Sequence, residues 1–408
     1  MRVDGRNRRI LVPIVLALSC LLSSPGEAAN LNVVPSILLE GTWDSNIFNT
    51  STNETSDYIY RARPQLSLIL EAFHTSAKIS GGFEAERYVD HDELNDVNAT
   101  NNFDLTVNEP FRFTPNFSLL PSASYVETRD SARRNRLTQT VSPELLPSET
   151  VLTARTKVRE YRASLHIDYL LSPNVDLGLG GGGTRRQFVD PVPGANEEDS
   201  QTITGDASVS YRITPRFSSG IFVNTSHNTF DVSPSSTSYT AGLTANYLLT
   251  QFYSLNARAG SSRFEETDVT TGQTDKTWVP YGSLSLTYTW QYFQATLQGT
   301  YEIAGAGSFG RTTKRGNVAV TLTNQFAERW WWDLSGSYQT NRSTDDLDTV
   351  NIATMDASAG IRYTAAEWAS FRLSGKAIRQ RTDGIEGDDL DRESVFLGVD
   401  LSKVYRLY

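Results

Sequence analysis

At 408 residues and a net charge of −10, the chain lacks the basic face that nucleic-acid binding needs. Its one cysteine rules out a disulfide or a cysteine-based metal site. Mean hydropathy is −0.37 while aromatic residues reach 11%, a pairing that suits a membrane β-barrel, where only alternate residues touch lipid.

Residues 1–28 read as a secretory signal. Arg2, Arg6, Arg8 and Arg9 give a positive start, and residues 10–22 are mostly apolar. Gly26, Glu27 and Ala28 form a small-x-small cleavage site, so the mature chain is expected to begin at Ala29. About 13 apolar residues are too few to cross a bilayer as a helix. Cys20 lies inside this segment, behind a poor lipobox. No later segment approaches 18 consecutive apolar residues.

From there the chain alternates. Phe293, Ala295, Leu297, Gly299 and Tyr301 share one face, and Gln294, Thr296, Gln298, Thr300 and Glu302 the other. In order, the pattern predicts strands at 34–46, 58–71, 76–90, 101–113, 117–128, 158–171, 175–188, 200–214 and 217–230. It continues with 237–250, 253–266, 276–290, 292–304, 312–326, 330–342, 352–365, 368–381 and 393–405. These strands exceed the usual five or six residues of a soluble sheet. Their count, about 18 (16–18), is even, as single-chain bacterial barrels require. The fold class is therefore all-β: one transmembrane antiparallel up-and-down β-barrel over residues 29–408. A barrel of this size leaves room for water.

A repeated unit supports this. FRFTPNF starts at Phe111, YLLSPNV at Tyr169, YRITPRF at Tyr211 and YLLTQFY at Tyr247. TWQYF starts at Thr289, QFAERW at Gln325 and YTAAEW at Tyr363. From Tyr169 on, the spacing is roughly 36–42 residues, one hairpin pair per repeat. Each copy joins two aromatic strand ends through a short turn. Short turns mark the periplasmic side of such barrels, so both chain ends are expected there. The longer polar connections at 47–57, 91–100, 129–157, 189–199, 231–236, 267–275, 305–311, 343–351 and 382–392 are expected outside.

The first strand ends in WDSNIF, from Trp43 to Phe48. This signature, followed by repeated Tyr-x-[Leu/Ile]-[Ser/Thr]-Pro turns, resembles the β-barrel porin 2 family. The resemblance implies an outer-membrane barrel of a Gram-negative bacterium that takes part in exopolysaccharide export, with polysaccharide and periplasmic secretion components as partners. It implies no catalytic residue. Asp44 and Asn46 also have a structural reading, as turn residues whose side chains bond nearby backbone. The residues alone leave two alternatives to export: a general or solute-specific diffusion porin, and a non-conducting surface scaffold.

Alternation assigns pore-lining positions. The basic ones are Arg61, Arg63, Lys78, Arg162, Arg212, Arg258, Arg362, Arg372 and Lys376. The acidic ones include Glu84, Glu86, Asp168, Glu302, Asp333 and Asp356, together with Asp104, Asp206 and Asp400. They serve either as cross-strand pairs that support the wall or as a selectivity field. With signs nearly balanced, ion selectivity is expected to be weak. The longest loop, 129–157, opens with Arg129, Arg133, Arg134 and Arg136. It either folds inward as a basic constriction or lies against lipopolysaccharide phosphate; outer-membrane lipid and lipopolysaccharide are the expected surroundings.

Nothing in the chain asks for a cofactor, a metal site or enzymatic chemistry. The acidic loops lack an EF-hand pattern. His166 shares a strand face with Ser164 and Asp168, but same-face neighbours lie about 7 Å apart, too far for a relay without unusual rotamers. Residues 180–183 are glycines without the Lys-Ser/Thr of a phosphate loop, and are expected to let a bulky lumenal element approach the wall.

Overall fold

The computed structural model describes residues 30–72, 75–128, 157–189, 198–267, 274–306, 311–343, 351–383 and 389–407. The residues of the signal segment lie outside these, as do Arg129, Arg133, Arg134 and Arg136 of the expected constriction loop.

The strands run β1 (Asn30–Asp44), β2 (Asp57–Ala72), β3 (Thr75–Tyr88), β4 (Asp96–Glu109), β5 (Phe111–Thr114), β6 (Phe117–Thr128) and β7 (Lys157–Ser172). Next come β8 (Val175–Val189), β9 (Ser200–Thr214), β10 (Phe217–Phe230), β11 (Ser235–Leu248), β12 (Tyr253–Thr267), β13 (Thr274–Trp290) and β14 (Phe293–Ala306). The last are β15 (Arg311–Ala327), β16 (Trp330–Ser343), β17 (Asn351–Ala366), β18 (Ala369–Asp383), β19 (Leu390–Ser402) and β20 (Tyr405–Arg406). β4 and β5 make one stave, interrupted at Pro110, which has no N–H to donate. β20 only adds two rungs to β1. The remainder are eighteen antiparallel staves, and β1 pairs with β19 to close the barrel. Closure leaves no end strand in the ring, the condition for backbone in lipid, although β13 and β14 part beyond Gly282.

The expected and observed strands agree within a few residues, with three shifts. β1 starts at Asn30, because Asn30 already pairs with Glu71 on β2. β4 starts at Asp96, five residues before the expected span, because Asp96 pairs with Glu86 on β3. The last stave spans Leu390–Ser402, three residues before the expected span, because Asp400 pairs with Leu38 and Ser394 with Asp44.

Register separates the two faces. One face carries the exposed apolar side chains Leu179, Ile221, Leu243, Leu284, Leu297, Leu334, Leu373 and Leu397. This is the lipid belt. At the short-turn end it meets a chain of aromatic rings on the same face: Phe217–Tyr247, Tyr253–Tyr288, Tyr288–Phe293 and Trp330–Tyr363 lie 4.5–5.9 Å apart. Near the other end Tyr60, Tyr239, Trp278 and Tyr301 are exposed outward. Two aromatic levels flanking an apolar band are the signature of a barrel of the outer-membrane type. The opposite face holds most of the buried polar residues, Ser67, Asp104, Asn228, Thr240 and Gln339 among them.

The WDSNIF segment is structural. Asp44 accepts the Asn46 N–H (3.1 Å) and the guanidinium of Arg392 (Nε 3.0 Å). Asn46 donates to Thr50 O (2.7 Å) and Asp391 O (3.0 Å), and accepts from the Thr50 N–H. These bonds fold the loop back so that Ile47 packs with Ile59 and Tyr88, all three buried, and Phe48 and Leu94 join them.

Candidate functional site

Between β13 and β14 the wall is incomplete. Their ladder has nine rungs, from Trp290↔Phe293 to Gly282↔Tyr301. By contrast β12 and β13 share fifteen, and β14 and β15 fourteen. Beyond Gly282, residues 274–281 of β13 pair only with β12, and residues 302–306 of β14 pair only with β15. Pro280 sits at this point, and proline in a strand belongs at an edge.

The upper end of the β14–β15 hairpin has turned into the lumen. The hydroxyls of Thr312 and Ser236 share a 2.7 Å hydrogen bond, although β15 and β11 are four staves apart. Four strand spacings are roughly 19 Å around a wall, so only an inward course allows the contact. The bond continues through buried polar groups. Asn228 Nδ2 donates to Ser236 Oγ (3.2 Å), and Thr202 Oγ1 donates to Asn228 Oδ1 (2.7 Å). On its other side the tip is held where Thr313 Oγ1 donates to Asn341 Oδ1 (3.4 Å). Thr312 and Thr313 point to opposite faces, yet both are buried. A strand covered on both faces lies inside the barrel. The 305–311 connection was expected outside with the other long loops; its flank Thr312 turns inward instead, because hydroxyls on both of its sides find partners there.

The inward tip and the inner wall of β7–β13 enclose a pocket of about 600 Å³. One wall is a lawn of small neutral donors and acceptors: Thr202, Thr204, Asn224, Asn228, Ser238 and Thr240. Phe222, on the same face of β10 as Asn224, adjoins Tyr281 with ring centroids 5.5 Å apart, and Ile303 of the tip also lines the space. The Arg258 guanidinium lies over the Phe222 ring at 5.5 Å and has no carboxylate partner among the described residues. Glu302 and Arg315 are ion-paired to each other on the tip. At the far end Glu160 holds two arginines, Arg162 at 2.5 Å and Arg186 at 2.8 Å, leaving that trio one net positive charge. The arrangement can bind neutral hydroxyls through many hydrogen bonds, seat an apolar ring, and attract an anion to Arg258.

Register puts all eighteen assigned pore-lining residues on the face opposite the lipid belt. Many are spent on the wall. Arg61 is buried between Glu86 (2.8 Å) and Glu40 (3.1 Å), and Arg63 binds Glu84 (2.5 Å). Lys376 lies 3.5 Å from Asp356, and Arg372 3.4 Å from Asp333. Arg362 stacks on Trp331 at 5.2 Å. Lys78 and Arg212 make no ion pair among the described residues and lie away from the pocket. Of the eighteen, the pocket gathers Arg162, Asp206, Arg258 and Glu302.

Two expectations change here. His166 Nε2 lies 3.1 Å from Asp168 Oδ1, so the same-face pair does touch: the side chains lean along the strand. Ser164 bonds Ser122 at 2.6 Å instead, so no nucleophile–base–acid relay forms. The glycines accommodate neighbouring side chains rather than a separate lumenal element. A Cβ at Gly180 would sit 2.1 Å from the Asp206 carboxylate, and one at Gly178 2.7 Å from Ser208 Oγ.

Glu40, Glu160, Arg186 and Arg315 were not singled out from the sequence, yet the same alternation that marks Arg162 and Glu302 puts them inside. Ser236 and Thr312 carried no such signal.

No family model matches the chain, and no curated protein matches it. Solved outer-membrane channels share its general form at low identity. OpdK of Pseudomonas aeruginosa, solved with vanillate, is 10% identical over 91% of this chain and 99% of that one, with a TM-score of 0.45. OccAB3 of Acinetobacter baumannii is 9% identical over 92% and 99%, with a TM-score of 0.46. OpdQ of Pseudomonas aeruginosa is 8% identical over 93% and 98%, with a TM-score of 0.44. At this level none of their solutes carries over to this chain.

Proposed function

We propose that this barrel is an outer-membrane channel for small hydrophilic solutes, narrowed by the β14–β15 tip and mildly selective for anions at Arg258. The observation that supports it most is the pocket itself: a polar, aromatic-floored space in the lumen, with an arginine that no carboxylate among the described residues neutralises. Most other inward charges are paired, so the field elsewhere is weak and the free arginine sets the sign locally. The export of exopolysaccharide implied by the family resemblance fits less well. A polymer would have to displace a tip latched by buried hydrogen bonds on both faces, whereas a small solute passes beside it.

Liposome swelling tests this reading. Monosaccharides should enter quickly, and oligosaccharides of increasing length should be cut off. Passage of long oligosaccharides at the monosaccharide rate would overturn it. In a salt gradient, Arg258→Gln should move the reversal potential toward cation preference.

A further inference from the structure

The inward turn of β14–β15 leaves a second feature. β13 has an unpaired edge over residues 274–281, a slit roughly 25 Å long at ~3.4 Å per residue. Its foot is Gly282. Gly282 faces the lipid with Leu284, and a Cβ built there meets no atom within 4 Å, so the outer mouth of the slit is open at its foot. The edge carries Lys276 and Pro280, residue types that keep exposed edges from pairing. Trp278 and Tyr301, both exposed outward, put the slit at the aromatic level of the belt on the long-loop side. Directly behind it is the pocket, lined by Tyr281 of β13, Arg258 of the adjoining β12, which pairs with Ser283 beside the foot of the slit, Phe222 of β10 and Ile303 of the tip.

A backbone edge cannot face hydrocarbon unsatisfied, but it can face the headgroup zone or an amphiphile crossing it. The sequence of surfaces is then meaningful. Inside Trp278 a molecule meets an aromatic-aliphatic surface and the Arg258 guanidinium side by side, among neutral hydroxyls and amides.

We propose that the gap between β13 and β14 is a lateral port, through which the lumenal pocket exchanges small anionic amphiphiles with the outer leaflet. The anionic head goes to Arg258, and the apolar part lies on Phe222 and Tyr281. This rests on the channel reading above for the lumen, and adds a second route into the same pocket.

The test uses the full barrel purified from membranes, in phosphatidylethanolamine–phosphatidylglycerol vesicles, with cis-parinaric acid as the probe. Binding is read as energy transfer from tryptophan, and potassium chloride conductance is recorded on the same protein. Val279→Cys with Ala304→Cys extends the β13–β14 register by three rungs, so oxidation joins the hairpin to the wall and shuts the port. Gly282→Trp, on the lipid face with Leu284, puts a ring over the outer mouth of the slit at its foot without touching the latch. Saturable parinarate binding is expected in the native protein. It should fall at least tenfold in the oxidised double-cysteine protein, return on reduction, and fall several-fold in Gly282→Trp. If the cysteines do not cross-link, Gly282→Trp alone decides. Undiminished binding in the closed variants, or no binding by a protein that conducts, overturns the port and leaves the channel standing. Binding without conductance leaves the port and overturns the channel.

Discussion

The Ser236–Thr312 latch decides how wide the lumen is, and its removal has a calculable effect. The two hydroxyls sit 2.7 Å apart and are buried, and Ser236 also accepts from Asn228. Ser236→Ala removes the Thr312 partner and the Asn228 acceptor together. One lost bond costs about 1 kcal/mol, and a buried group left without a partner costs roughly 1–3 kcal/mol. The inward state should therefore lose about 2 kcal/mol relative to any state in which the tip has withdrawn. At about 1.4 kcal/mol per factor of ten, withdrawn states gain roughly 25-fold in relative population. Thr312→Val should do nearly as much, and the double variant little more, since both remove one bond. Single-channel recording reads this as a higher-conductance level whose occupancy rises in each variant. The coupling between the two changes should be nearly as large as either single effect, about 2 kcal/mol. Native-like traces in both single variants, or additive effects in the double variant, would refute the latch.

Three other outcomes are expected. Arg61→Met strands the buried carboxylates of Glu40 and Glu86, and should cost about 3–5 kcal/mol in denaturant unfolding monitored by the gel shift of folded barrel; a loss near zero would mean the pair is solvated. Leu297→Arg puts a charge in mid-belt and should cost about 2–4 kcal/mol, while Gln298→Arg, one residue on and facing the lumen, should cost little; the reverse order would invert the assigned faces. Arg392→Gln should loosen the cap around Asp44 and Asn49 and lower thermal stability, with the reversal potential unchanged; a shift in selectivity would give the WDSNIF segment a role in conduction.

Much of this barrel was legible before any coordinates. Alternation read from Phe293 to Glu302 assigns each side chain to lipid or lumen, because a strand has a period of two and lipid accepts only one face. The aromatic-turn-aromatic units at Tyr211 and Thr289 locate the hairpins, because interfacial rings and tight turns fall at the same depth. Asp44 and Asn46 behave as turn residues, as their short acceptor side chains suggest. The inward tip was not legible. Parity says which face Thr312 occupies relative to its own strand, but not that the strand has left the wall. The bond that holds it joins residues 76 positions apart, and serine and threonine are too common in this lumen to point to each other. Pro280 and Gly282 were the available hints: a proline and a glycine two residues apart, in a strand otherwise fit for a central position. The His166–Asp168 contact was missed for a smaller reason, since Cα spacing along a strand overstates the distance between long side chains that lean together.

The most direct measurement is single-channel current through the protein in a planar bilayer, with native Arg258 and with Arg258→Gln. A steady conductance, with a mild anion preference that the substitution removes, is the predicted result. A membrane that stays silent with native protein of proven fold would contradict the channel reading outright.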